Sequence, residues 1–434
     1  MNRQLTTLLT TALLAANAAR AQSPRPVDTT DVRRWHEDLA FLRSEMPARH
    51  ANLFHTMTRV QFDSALDSID SRLPALTRHG VIVELERMLA LVGDGHSNVG
   101  PWRDSLIAFH TIPVGFYLFA EGLIVRTADS AHADLLGARV VEIGERPVDS
   151  AIARVRPLIS HDNEMGVRAY TPFLLAMPEV LHATGISADL QRVRLVVEQD
   201  GRRRTVTLGH AGLFPMLTGD ADRSWLPRAG WVDARDRAPA ALWLSDPINP
   251  YWFRYLADGR TLYCQINTIQ QKASDSIGVF MARAIVTADS AGAERFVVDL
   301  RLNGGGNGGY NRLILLPLIK SRYDTPGRLF VLTGRRTFSA AQMLVTEMRK
   351  YTNAAFVGEP TASKGNHYGD SFRIVMPNSR VTVRVSTLWH QYVDSRDTRE
   401  MIEPAIAAPL AFADYAAGRD PALAAAVRAP VPGY

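Results

Sequence analysis

The stretch Thr337-Phe338-Ser339-Ala340-Ala341-Gln342 places a serine where a predicted strand at 329–333 turns into a predicted helix that runs to Lys350. A serine at such a turn becomes a nucleophile when a nearby base removes its proton. It can instead cap the helix by accepting a hydrogen bond from the first turn. For an isolated serine the cap is the simpler interpretation, so the surrounding residues must decide between the two.

A glycine-rich turn lies upstream, in Asp299-Leu300-Arg301-Leu302-Asn303-Gly304-Gly305-Gly306, after an apolar strand. Glycines let backbone N–H groups approach a ligand closely. The amides of Gly305 or Gly306, together with that of Ala340, could hold the oxyanion of an acyl-transfer reaction. A plain tight turn is the alternative. A phosphate cradle is not indicated, because the stretch lacks both the P-loop and the dinucleotide-binding patterns.

Two side chains are candidate bases for Ser339. Lys364 is one of only four lysines in a chain whose basic residues are mostly arginine, and lysine, unlike arginine, loses its proton when buried. His96, in Gly93-Asp94-Gly95-His96-Ser97, ionises near neutral pH. A surface lysine and a histidine that caps a helix are the structural alternatives.

Other catalytic signatures are absent from the sequence. It contains no Gly-x-Ser-x-Gly elbow and no His-Glu-x-x-His helix, which argues against an α/β-hydrolase and against a zinc peptidase. We therefore expect a reaction that requires neither a metal nor a nucleotide cofactor.

The first residues predict export. Arg3 is followed by a mostly apolar run at 5–16 and by Ala19-Arg20-Ala21, the pattern of a secretory signal peptide over residues 1–21. The apolar run is shorter than the ~20 residues that span a bilayer, so we expect a periplasmic or secreted protein that does not cross the membrane after cleavage. Cys264 is the only cysteine, which excludes an internal disulfide.

The net charge of +5 arises from arginines scattered among acids. No long basic block with interleaved aromatic residues is present, and nucleic-acid binding is therefore not expected. Apolar residues make up 46% of the chain, which is typical of a folded globular protein.

The periodicity of apolar residues divides the chain into three regions. Residues 28–100 carry helical stripes, residues 108–210 read as a small β-rich module with a hairpin through Asp200-Gly201, and residues 240–430 alternate strands with helices. A linker or long surface loop is predicted over 209–241, and a further hairpin around Pro377-Asn378-Ser379. The alternation in the last region predicts an α/β layer.

The motifs resemble those of the tail-specific, or C-terminal processing, serine peptidases, a family that includes the tricorn proteases and the retinoid-binding module of photoreceptors. Its pattern is Asp-Leu-Arg-x-Asn-x-Gly-Gly, then Ser-Ala-x-Glu, then Gly-Glu-x-Thr-x-x-Lys-Gly. The matching segments, in the same order, are residues 299–306, 339–342 and 358–365.

The resemblance implies an α/β catalytic domain with a ClpP/crotonase-like layered sheet, a PDZ-like domain at 108–210 and an N-terminal helical region. It implies Ser339 as nucleophile, Lys364 as base, and Gly305 or Gly306 with Ala340 as oxyanion hole. The implied substrate is a protein or peptide, which a PDZ-like module would bind as an added strand. The sequence leaves the oligomeric state open.

The chain departs from the family pattern at two positions. Gln342 replaces the usual glutamate after the serine, and Tyr368 stands where a glutamine often orients the lysine. In tricorn-type members a histidine near Gly95-His96-Ser97 is the base, oriented by a carboxylate for which Asp397 or Glu400 is a candidate. The resemblance slightly favours the lysine dyad over this triad. A non-catalytic binding protein on the same fold and a small-molecule esterase or amidase are the alternative functions.

Overall fold

The computed structural model describes residues 29–100, 107–213 and 223–430. The predicted signal peptide at 1–21 lies outside the described residues. The architecture is a mixed α/β fold with one seven-stranded, one six-stranded and one two-stranded sheet. None of the helices in the described ranges is both long enough and apolar enough to cross a bilayer.

Three helices open the described chain, as the apolar stripes predict: α1 (Thr29–Arg49), α2 (Arg59–Arg72) and α3 (Arg78–Ala90). Thr58 begins α2 with a reciprocal capping box to Gln61, which satisfies two backbone donors at the helix start. Phe62, Leu66 and Ile69 of α2 are buried, so this stripe is core rather than a binding surface.

The next region forms a seven-stranded antiparallel sheet of order β1-β2-β3-β5-β6, with β4 paired to β3 and β7 paired to β2. Its elements are β1 (Val114–Phe119), β2 (Gly122–Asp129), β3 (Arg139–Ile143), β4 (Arg146–Pro147), α4 (Val148–Val155), α5 (Glu164–Leu174), α6 (Pro178–Ala183), β5 (Arg192–Gln199), β6 (Arg202–Gly209) and β7 (Trp231–Asp233).

The hairpin through Asp200-Gly201 is confirmed, because β5 pairs with β6 and both turn residues have positive φ, as a two-residue hairpin loop requires. Helices α4 to α6 are not predicted by the alternating pattern, since they are short and α5 contains Pro172. The predicted loop at 209–241 is wrong in part, because β7 within it pairs with β2.

The six-stranded sheet has the order β15-β12-β11-β10-β9-β8, parallel except for β8. The last region comprises β8 (Tyr251–Leu256), β9 (Thr261–Ile266), α7 (Ile277–Ser290), β10 (Arg295–Asp299), α8 (Asn311–Lys320), β11 (Leu329–Thr333), α9 (Ala340–Tyr351), β12 (Ala355–Gly358), β13 (Asn366–Val375), β14 (Thr382–Gln391), β15 (Ile406–Ala407), α10 (Phe412–Ala416) and α11 (Pro421–Arg428).

Both faces of this sheet are covered. Phe296 and Val298 of β10 point into a core shared with α7, α8 and α9, while Val297 between them packs into a second core with α11. Two-sided burial explains why the parallel strands are continuous apolar runs. The predicted alternation of strands and helices is confirmed.

The hairpin of β13 and β14 connects the region of the six-stranded sheet to the rest of the molecule. Its Ile374, Val383 and Val385 belong to the same hydrophobic core as the N-terminal helices and the seven-stranded sheet. Asn98, just after α3, forms a β-bridge with Arg384 of β14. These contacts bring the loop after α3 to the edge of the six-stranded sheet.

Candidate active site

Ser339 and the glycine turn meet at the carboxyl edge of the six-stranded sheet. Strands β10 and β11 are parallel neighbours, so the loops that follow them leave the sheet side by side. The Phe338 amide donates a 3.1 Å hydrogen bond to the Asn303 carbonyl. A methyl group on Gly305 would lie 2.8 Å from Ser339 Cβ. Only a glycine at position 305 therefore lets the loop after β10 come this close to Ser339.

The backbone of Ser339 adopts φ +54° and ψ −125°, a conformation that side-chain-bearing residues rarely adopt. Such strain is typical of functional sites. Ser339 occupies the N-cap position of α9, yet its side chain makes no capping hydrogen bond. The cap interpretation is therefore wrong, and the hydroxyl is directed to another partner.

That partner is His96, whose Nε2 lies 2.9 Å from Ser339 Oγ. The imidazole stacks on Phe338 at 4.5 Å and on His367 at 5.8 Å between ring centroids. The backbone of His96 is also held, because its amide donates to Asp94 and its carbonyl accepts from Ser371. A nucleophile within hydrogen-bond reach of a fixed imidazole is the geometry of general-base catalysis.

Asp94 organises the loop that carries His96. It is 2% exposed and accepts hydrogen bonds from the amides of His96 and Ser97, from the hydroxyls of Ser97 and Ser386, and from His50 Nε2 at 2.9 Å. Burial opposes ionisation of this carboxyl group. The hydrogen bond and charge of His50 outweigh burial and lower the pKa of Asp94 to about 2.

Asp162 is a second buried carboxylate beside His96. Its two oxygens accept hydrogen bonds of 2.7 Å from the Gly95 amide and from the Ser363 hydroxyl. Burial raises the pKa of Asp162, and the electrostatic attraction of His96 opposes that shift. Asp94 and Asp162 thus place negative charge near the imidazole.

The two candidate glycines differ in their hydrogen bonding. The Gly305 amide already donates to Asn303 Oδ1 at 2.9 Å. In the described part of the chain, the amides of Gly306 and Ala340 have no hydrogen-bond acceptor. Ala340 follows the serine in sequence, and Gly306 lines the same cavity as Ser339. The pair Gly306 and Ala340 therefore fits an oxyanion better than Gly305 does.

Lys364 has no contact with Ser339. Its Nζ lies 3.8 Å from Glu400, and 41% of its side chain is exposed. The neighbouring Ser363 reaches the site instead, through Asp162. The slight preference for Lys364 as base finds no support in this geometry. Tyr368 contacts Asn52, His55 and His50 rather than the lysine.

The proposed orienting carboxylates also lie away from His96. Asp397 forms an ion pair with Arg399, and Glu400 faces Lys364. Neither residue lines the cavity in front of Ser339. Asp94 could have been noticed in Gly93-Asp94-Gly95-His96-Ser97, whereas no local signal marks Asp162.

The serine opens onto a cavity of about 740 Å³, large enough for several residues of an extended peptide. Its lining includes residues of the glycine-rich loop, Tyr170 of α5, Arg336, and His390 of the β13–β14 hairpin. Across the described ranges, no three His, Cys, Asp or Glu side chains are grouped so that they could hold a metal ion.

Residues 318–407 match the model of peptidase family S41. Over this segment the chain is similar to the serine peptidases of that family. The matched segment contains Ser339 and Lys364, whereas His96 lies outside it.

The comparison with solved structures finds similar chains at low sequence identity. Mature CPAF in complex with lactacystin is 14% identical, covering 89% of this chain and 96% of that chain with a TM-score of 0.61. The photosystem II D1 C-terminal processing protease is 13% identical over 91% and 99% of the two chains, with a TM-score of 0.39. No curated protein matches the chain.

Proposed function

We propose that this protein hydrolyses peptide bonds through an acyl-enzyme on Ser339, with His96 rather than Lys364 as the general base. The observation that carries the proposal is the 2.9 Å contact between Ser339 Oγ and His96 Nε2 at a strained serine. Nε2 must be unprotonated to accept the hydroxyl proton, so the resting imidazole carries its proton on Nδ1.

In the first half-reaction Ser339 Oγ attacks the scissile carbonyl carbon while its proton passes to His96 Nε2. The resulting oxyanion receives hydrogen bonds from the Gly306 and Ala340 amides. His96 then donates the proton to the leaving amine, and the C–N bond breaks. Water attacks the ester with His96 again as base, which releases the acid and restores the serine.

Asp94 and Asp162 support this chemistry without contacting the substrate. The imidazole becomes positively charged in each transition state, and two buried carboxylates near it favour that charge. The hydrogen bonds that both make to the backbone of residues 95–97 keep the ring in position. Pre-organisation of this kind supplies much of an enzyme's rate enhancement.

The region around the seven-stranded sheet is proposed to be the PDZ-like module that binds substrate tails. Strand β1 pairs with β2 alone among the described strands, so its other edge can accept an added strand. A groove of about 310 Å³ runs beside it, lined by Phe116 and by Pro172 and Phe173 of α5. The proposal also includes a ClpP/crotonase-like layered sheet in the catalytic domain. It includes export of the protein to the periplasm or the medium.

The proposal is tested with a fluorophosphonate probe and a peptide library whose cleavage is read by mass spectrometry. Wild-type protein should form one adduct on Ser339 and cleave peptides, and Ser339→Ala should do neither. Absence of any adduct would favour a binding protein on the same fold. Turnover of simple esters without any peptide cleavage would favour an esterase.

A further inference from the structure

A small cavity, which we call the rear cavity, adjoins the larger one in front of Ser339. Its volume is about 40 Å³. The polar side chains along it include those of Glu86, Asn98, Ser160 and Ser371. His96 and Phe338 line both cavities, so the rear cavity shares a wall with the candidate active site.

The Glu86 side chain of α3 is buried against the rear cavity without a protein partner. It is 3% exposed, and neither carboxyl oxygen has a hydrogen bond to any described residue. Burial of a polar group in this state is unfavourable unless something else satisfies it. Burial also raises the pKa of Glu86 well above its usual range, which favours the protonated group. A protonated carboxyl group can donate a hydrogen bond as well as accept one.

Asn98 brings a second polar atom that lacks a partner to the same cavity. Its Oδ1 is buried and accepts no hydrogen bond in the described part of the chain. The backbone of Asn98 is held by its β-bridge to Arg384 in β14. The rear cavity is therefore lined by an acceptor without a donor, Asn98 Oδ1, and by a carboxyl group that can donate.

The other half of the Asn98 amide holds the loop of the proposed base. Its Nδ2 donates to the His96 carbonyl at 3.2 Å and to the Gly95 carbonyl at 3.5 Å. The Ser371 hydroxyl donates to the same His96 carbonyl at 3.0 Å. Two polar side chains of the rear cavity thus converge on the backbone of His96, and Glu86 is the carboxyl group beside them.

A water molecule can link Glu86 to this arrangement. A cavity of about 40 Å³ has room for at least one water, and a buried water needs about two to four polar partners. Glu86, Asn98 and the two serine hydroxyls of the lining supply enough of them. One bound water would satisfy both the buried carboxyl group and Asn98 Oδ1.

We propose that a water molecule in the rear cavity joins the Glu86 carboxyl group to Asn98 Oδ1, which makes Glu86 a positioning residue for His96. Glu86 donates to the water, the water donates to Asn98 Oδ1, and Asn98 Nδ2 donates to the His96 carbonyl. Each hydrogen bond in such a chain polarises and strengthens the next. The inference rests on the proposed function, in which His96 is the general base for Ser339.

The test measures the rate at which a fluorophosphonate labels Ser339, together with kcat and KM for one cleaved peptide. The proteins are wild type, Glu86→Leu, Glu86→Gln and, as control, Glu84→Leu. Glu84 lies on the same helix, forms ion pairs with Arg72 and Arg87, and is not among the described residues that line the rear cavity. Urea denaturation at pH 8 gives the stability of each variant.

Glu86→Leu should lower the labelling rate and kcat roughly 10- to 100-fold and leave KM unchanged, since a small misplacement of a catalytic group has an effect of this size. The same variant should be at least as stable as wild type, because it removes a buried carboxyl group without a protein partner. Glu86→Gln should restore most of the rate, since an amide can hold the same water. Rate and stability that fall together in Glu86→Leu would indicate a structural role and contradict the proposal.

A double variant tests whether Glu86 acts through Asn98. Asn98→Ala should be slower than wild type, because the His96 carbonyl loses one donor. Glu86→Leu combined with Asn98→Ala should be no slower than the slower single variant, since residues in one hydrogen-bond network are not additive. Losses that multiply in the double variant would show that the two side chains act independently and would contradict the shared water.

A high-resolution crystal structure of the wild-type protein should show a water within about 3 Å of both side chains. Its absence would overturn the inference, as would wild-type labelling rates in Glu86→Leu, and either result leaves the proposed function intact. Failure of the wild-type protein to form a Ser339 adduct would remove the proposed function instead. The crystal structure decides on the water even if Glu86→Leu does not fold.

Discussion

The Gly95 amide donates a 2.7 Å hydrogen bond to Asp162 Oδ1, across 67 residues of sequence. Asp162 precedes α5, and Gly95 precedes His96, the proposed base, so the contact fixes the loop of residues 93–97 against the region of the seven-stranded sheet. A methyl group on Gly95 would lie 2.9 Å from the Phe338 ring, which itself stacks on His96. The proposed base is thus positioned by residues from three separate parts of the chain.

The choice of base gives the most direct prediction. His96→Ala should lower kcat by at least ~10³-fold, since His96 Nε2 is the acceptor that the described residues place beside Ser339 Oγ. Lys364→Ala should change kcat little, because an exposed ion pair contributes under about 1 kcal/mol. Steady-state kinetics on one peptide measures both variants, with circular dichroism as a folding control. The reverse result would restore the lysine dyad.

Asp162→Asn should lower kcat by roughly 10²-fold. The variant keeps the shape of the side chain but removes a negative charge that stabilises the imidazolium form of His96. For the same reason the acid limb of the kcat/KM profile should move to lower pH. Ser363→Ala, which removes one donor to Asp162 and leaves the charge, is the matched control. An unmoved acid limb would show that Asp162 has only a structural role.

Gly305→Ala should abolish turnover. The added methyl would meet Ser339 Cβ at 2.8 Å, and the backbone φ of +125° already disfavours a side chain. Gly201→Ala is the control, because Gly201 has φ +73° but open space around it. It should cost about 1 kcal/mol of stability through backbone strain and leave kcat unchanged. Comparable kcat values for the two variants would argue against the close approach of Gly305 to the nucleophile.

The buried His367 predicts a loss of stability in mild acid. Burial, and then the charge of His390, lower the pKa of His367 to about 4. Between pH 6.5 and about 4 the unfolded chain binds this proton and the folded protein does not, so the free energy of unfolding falls as pH falls. The full effect is ~3 kcal/mol. Urea denaturation from pH 7 to 4.5 should show a shallower dependence in His367→Gln than in the exposed-residue control His36→Gln.

The buried Glu86 in α3 predicts that the free energy of unfolding falls as the pH rises, the opposite of the effect of His367. It is 3% exposed, and within the described ranges neither carboxyl oxygen has a hydrogen-bond partner. Burial raises its pKa well above the usual range, so stability falls as pH rises above about 4.5, where the unfolded chain releases the proton. Glu86→Gln should stabilise the protein more at pH 8 than at pH 5, whereas Glu84→Gln on the same helix should show no such difference. Equal effects at the two pH values would contradict a buried neutral carboxyl.

The sequence alone predicted the strands and helices around Ser339 and made this serine the candidate nucleophile. A short apolar run such as Leu329–Thr333 favours a buried strand, and a serine between such a strand and a helix lies at the carboxyl edge of a sheet. The glycine turn after β10 reaches the same edge because parallel neighbours end there. The strands, the position of the serine and the position of the glycine turn depend on short stretches of sequence and on pairing between neighbouring strands. Apolar periodicity and turn residues are therefore enough to predict them.

Only the tertiary structure decided the partner of Ser339. His96 lies 243 residues before the serine in sequence, and the contact depends on the packing of the β13–β14 hairpin into the N-terminal core. Asp162 has no motif, since its role comes from burial and from one amide and one hydroxyl that the fold brings to it. Lys364, in the expected motif, points to solvent because its loop directs Ser363 inward instead. Long-range packing decides whether His96 or Lys364 faces Ser339. A single sequence has no local pattern from which that packing can be predicted.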